Sequence, residues 1–114
     1  RLRDLSGQGW FLNPPGCGCR AALIKFFDRL HLTIHVAAEV FGEDLQLSLL
    51  AQSGGLGLVP RRQFEQSPHR RALRILDVMD FSLPAVVTLI RNAAPGRFDP
   101  AIALLTDELK AKLA

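Results

Sequence analysis

The sequence predicts an α/β fold, a mostly parallel sheet covered by helices. Two observations carry this. From Trp10 to Pro60, short apolar runs alternate with helical apolar stripes in the order β-α-β-α-β. The segments are also closed by breakers, Asn13-Pro14-Pro15-Gly16, Ser53-Gly54-Gly55 and Pro60, leaving little room for long loops.

Trp10-Phe11-Leu12 is the first apolar run, ended by the Pro-Pro-Gly breaker. Between Cys19 and Leu30, the residues Leu23, Phe26, Phe27 and Leu30 recur at helical spacing. Arg20, Lys25, Asp28 and Arg29 lie off that stripe. Thr33 to Val40 alternates, with Ile34, Val36, Ala38 and Val40 on one face of a strand. Asp44 to Gln52 predicts a helix with Leu45, Leu49 and Leu50 as its apolar side and acids in its first turn. It stops at Ser53-Gly54-Gly55, and Leu56-Gly57-Leu58-Val59 supplies a further short strand.

The second half is less regular. Gln63 to Arg71 is polar, with a turn expected at Ser67-Pro68. Leu73 to Val78 and Ala85 to Arg91 predict two strands separated by the Asp80 to Pro84 corner. Asp99-Pro100 starts a last helix, with Asp as cap and Pro in the first turn. Ile102, Leu105, Leu109 and Leu113 make its stripe, and Lys110 and Lys112 suit its negative end.

The chain of 114 residues is the size of one domain, and 48% hydrophobic with 22% charged residues excludes disorder and fibrous repeats. A net charge of +3 is too small for a polybasic nucleic-acid binder. No apolar run is long enough to span a membrane. Cys17 and Cys19 do not make the framework of a disulfide-rich secreted protein, which favours a reducing, cytoplasmic setting. The first residue is Arg with no leader pattern after it, so a fragment of a longer chain is expected.

The order of motifs resembles the second lobe of the effector-binding domain of LysR-type transcriptional regulators. The resemblance rests on Asp4-Leu5, Trp10-Phe11-Leu12, Pro15-Gly16-Cys17-Gly18 opening a helix, and Ala38-Glu39-Val40 ahead of a Leu-rich helix. Gly55-Leu56-Gly57-Leu58-Val59-Pro60 and Asp99-Pro100-Ala101 before the closing helix complete it. It implies a three-layer, open, mostly parallel sheet with helices on both faces, one lobe of a type II periplasmic-binding-protein-like domain. Residues 1–80 would form that lobe, and 81–114 the return strand and C-terminal helix that pack on a first lobe. It further implies a small-molecule effector, a homo-oligomer (dimer or tetramer), and contact with DNA only through a separate N-terminal domain.

The candidate effector site follows from both lines. The turn Asn13, Pro14, Pro15, Gly16, Cys17, Gly18 leads into a helix, whose free N–H groups and dipole suit an anion, most simply a carboxylate. The resemblance places this turn and the Gly54, Gly55, Leu56, Gly57 segment at the interlobe cleft, where glycines would line the pocket with bare backbone. The alternative reading makes them a tight corner, a helix end and a close strand contact. Cys17-Gly18-Cys19 also allows a thiol redox or metal-carrier protein, although two thiols fall short of a metal ligand set. A single lobe of a solute-binding protein is a further alternative. His31 and His35 straddle a helix-to-strand boundary, so helical metal spacing does not apply, and Arg61 to Arg74 reads as a solvated basic face. No catalytic constellation, cofactor or metal is expected.

Overall fold

The computed structural model describes residues 1–84, 89–94 and 96–113. The chain divides into two compact units, Arg1–Leu83 and Pro84–Ala114. The first holds strand β1 (Gly9–Leu12), helix α1 (Gly18–Arg29), β2 (His35–Glu39), α2 (Glu43–Ser53), β3 (Leu56–Gly57) and the short α3 (Arg61–Gln66). The order β-α-β-α-β is the one expected, and both pairings are parallel, giving a sheet of order β2-β1-β3. The architecture is α/β, a parallel three-stranded sheet covered by helices.

Alternation along β1 decides which helix covers which face. Trp10 and Leu12 are buried with Leu23 and Phe27 of α1, and the Trp10 and Phe27 rings meet edge to face at 5.9 Å. Such a pair adds about 0.5–1.5 kcal/mol beyond the burial of its area. On the other face, α2 lies against Phe11 and Gly57: the Gln46 side-chain amide donates to the Phe11 carbonyl at 2.6 Å. Burial in β2 alternates as the sequence predicts, with Val36 and Ala38 partly covered, His35, Ala37 and Glu39 exposed, and Val40 buried after the strand.

Helix α1 ends in a hydrogen-bonding pattern that the sequence did not disclose. His31 takes φ 53°, the left-handed region, while its N–H donates to Asp28 and that of Leu32 donates to Phe27. This is a Schellman cap with His where Gly is usual. Helix α2 ends as expected, with Gly54 at φ 73° donating to the Leu50 carbonyl.

Two expectations, for Leu73 to Val78 and for α2, are corrected, and the Gln63 to Arg71 stretch gains a short helix ahead of its expected turn. Leu73 to Val78 forms no strand: a 3₁₀ turn at Arg70–Ala72 precedes it, and adjacent Ile75 and Leu76 are both exposed, so burial does not alternate. Part of the polar Gln63 to Arg71 stretch is helical, because Pro60 starts α3 and Phe64 gives it one apolar anchor; the turn at Ser67 follows. The buried side of α2 is Gln46, Leu47 and Leu50, whereas Leu45 is exposed. The carbonyls of the sheet below require a donor, and Gln46 supplies it.

In the second unit, α4 (Asp99–Leu113) carries Lys110 and Lys112 in its last turn. Asp99 is the first residue of the helix, and its carboxylate accepts from the Gly96 N–H and from Arg91. The strand expected over Ala85 to Arg91 falls partly outside the described residues; Leu89, Ile90 and Arg91 form none.

Candidate functional site

Because all three strands run the same way, their carboxyl ends share one edge of the sheet. Helices α1 and α2 both begin just beyond that edge, so their N-terminal dipoles point the same way. They differ in what surrounds those ends. The first turn of α2 carries Glu43 and Asp44, which match its dipole internally. The first turn of α1 has no acid of its own and contains Arg20, whose charge is met by Glu39 from the end of β2.

The Asn13 to Gly18 turn wraps this end of α1. Cys17 is the N-cap, its N–H donating to Pro14, and Gly16 holds φ 100°, a conformation that favours glycine. Space around Gly16 is open, so its requirement is conformational rather than steric. The Arg20 N–H, then those of Cys19 and the Asn13 amide, favour the thiolate and hold the Cys17 thiol below its ordinary range. Partial desolvation, then the neighbouring Cys17, push Cys19 up. Both thiols are free.

Arg20 is the organising side chain. Its Nη1 donates to the Asn13 carbonyl and to the Glu39 carboxylate, each at 2.9 Å, joining the ends of β1 and β2 to the first turn of α1. Two buried polar atoms there, Asn13 Oδ1 and Arg20 Nε, lack partners among the described residues. Sequence reasoning passed over Arg20 and Glu39. The available signal was a cation in the first turn of a helix, where the dipole disfavours it.

The second glycine segment is placed differently from expectation. Trp10 pairs with Leu56 and Phe11 with Gly57, so Gly54 and Gly55 lie at the amino end of the strands. A Cβ on Gly55 would stand 2.9 Å from the Gly9 carbonyl. Gly57 lies beneath Leu50 and Gln46, and a Cβ there would collide with the Leu50 side chain. The structure therefore does not bring Gly54 and Gly55 to the Asn13–Gly18 turn. Leu58 to Pro60, which follow β3, are the part of that motif at the carboxyl edge.

The sheet order and the helix-opening turn can be set beside known families. Residues 1–114 match the LysR substrate binding domain. The chain belongs to that family. No curated protein and no solved structure matches it. LysR substrate binding domains are the effector-binding, regulatory parts of LysR-type transcriptional regulators and are not catalytic; those regulators bind small molecules and oligomerise. Among the described residues of this LysR substrate binding domain, no helix is long and apolar enough to cross a membrane. Also among them, no group of three or more His, Cys, Asp or Glu residues could hold a metal ion.

Proposed function

We propose that this domain senses a small carboxylate at the turn Asn13, Pro14, Pro15, Gly16, Cys17, Gly18, with Arg20, itself paired to Glu39, holding the turn from behind and Leu58 to Pro60 at the side. The observation that carries the reading is the asymmetry between the two helix ends: only that of α1 has no acid of its own in the first turn. An incoming carboxylate would take the place such an acid occupies in α2. Each charge-assisted bond contributes roughly 1.5–3 kcal/mol. One lobe alone gives part of a pocket, so affinity near ~1 mM is expected, about −4 kcal/mol. The effector acts by binding one arrangement of the oligomeric regulator better than another.

The domain reaches DNA only through a separate N-terminal domain, and it self-associates through its C-terminal arm. Ile90, Phe98, Leu104 and Leu113 are all more than half exposed, which favours pairing of that arm between copies. Sedimentation at high micromolar concentration checks this, and a stable monomer contradicts it.

The ligand site is tested through Cys17, which sits inside it. Succinate should slow alkylation of Cys17 saturably and leave Cys19 much less affected. Gly16→Leu should remove that protection. Equal protection of both thiols by sodium chloride at matched ionic strength would contradict the site.

A further inference from the structure

We propose a second ligand site in this domain, an apolar cavity beside β3 that takes a monocarboxylic acid with an aryl or alkyl body. Strand β3 is two residues long and, among the described residues, pairs on one side only, with β1. Next to it, a cavity of about 520 Å³ lies among Leu50 of α2, Leu56, Phe64 of α3, Ile75 and Phe81. That volume is within the range of small-molecule sites, about 300–1,000 Å³. The segment from Leu73 to Val78, expected as a strand, contributes to this wall instead of joining a ladder.

Two features identify the occupant. Trp10 is 4% exposed and lines the cavity with its ring. The rest of the wall is mostly aliphatic and aromatic, which suits an apolar ligand body. The charged residues of the lining are Arg61 and Arg74, with no acid among them. Both arginines are exposed, and among the described residues neither forms an ion pair. An apolar wall and two free guanidinium groups match an amphipathic carboxylate and disfavour a cation or a sugar. The site borders the effector turn's flank at Leu58 and Val59 but shares neither Arg20 nor the Asn13–Gly18 turn.

The chain has one tryptophan, so its indole N–H signal reports this cavity directly. Octanoate titrated into the 114-residue chain should shift that signal saturably, while acetate leaves it in place. Replacing both Arg61 and Arg74 by Ala should weaken octanoate about tenfold and leave octanol unchanged. Gly16→Leu, which disables the effector turn, should leave octanoate binding intact, so the two sites fail independently. An indole signal unmoved by octanoate up to its solubility overturns the site. Equal binding of octanol and octanoate, unaffected by the arginine changes, overturns the ligand class. A shift that tracks dimer formation in sedimentation, and vanishes on dilution, makes the cavity an interface between copies and overturns the proposal.

Discussion

Arg20 and Glu39 form an ion pair of 2.9 Å that ties the first turn of α1 to the carboxyl end of β2, and the same nitrogen holds the Asn13 carbonyl. The Arg20 side chain is 12% exposed and that of Glu39 is 48% exposed, so the two halves of the contact differ in worth. Glu39→Gln should cost under about 0.5 kcal/mol, because a half-exposed pair is screened by water. Arg20→Met should cost about 1–2 kcal/mol, because the Asn13 carbonyl then loses its charged donor. Urea denaturation of both variants checks the order; an equal cost would mean that the ion pair, not the carbonyl bond, holds the turn.

The two thiols should titrate apart. Backbone N–H groups lower the Cys17 pKa, whereas partial desolvation raises that of Cys19. Alkylation followed by mass spectrometry across pH should show Cys17 reacting at lower pH than Cys19. The linkage has a definite sign. A depressed folded pKa means that Cys17 adds stability above the unfolded thiol pKa, and that the gain fades as pH falls through the folded value. Cys17→Ser should remove this pH dependence with little loss of stability, since Ser is itself a favourable N-cap.

His31 occupies the left-handed position of the α1 cap at φ 53°. The ring is exposed, so its removal loses little packing. His31→Gly should therefore stabilise the fold by roughly 0.5–1 kcal/mol, an unusual direction for a glycine substitution. A lower thermal midpoint in the variant would show that the His31 ring makes a contribution that outweighs the backbone strain.

Gly57 lies under Leu50 and Gln46. Gly57→Ala should cost roughly 1–3 kcal/mol by overpacking. Restoring space with Leu50→Ala in the same chain should recover part of that cost. Additive losses in the double-mutant cycle would contradict the contact.

The first half of the chain was legible because its periods are clean. Alternation over Thr33 to Val40, helical spacing through Phe27, and glycine at the end of α2 all act locally. Leu73 to Val78 misled because apolar content alone does not supply a partner strand, and those side chains face a cavity. Helix α3 escaped notice because its six residues contain a single apolar anchor, Phe64. For the site, the Pro-Gly turn before α1 was readable from residue types. Which end of a parallel strand Gly54 and Gly55 occupy was not, since that depends on register. Arg20 and Glu39 are separated by 19 positions and meet only through the parallel crossover.

The central claim, a carboxylate at the α1 turn, is tested most directly by amide NMR shifts during a succinate titration. The account predicts saturable shifts at Asn13 and from Gly16 to Arg20, smaller ones at Leu58 and Val59, and none at Gly54 and Gly55. Shifts confined to Arg61 to Arg74, with the turn before α1 unmoved, would contradict it.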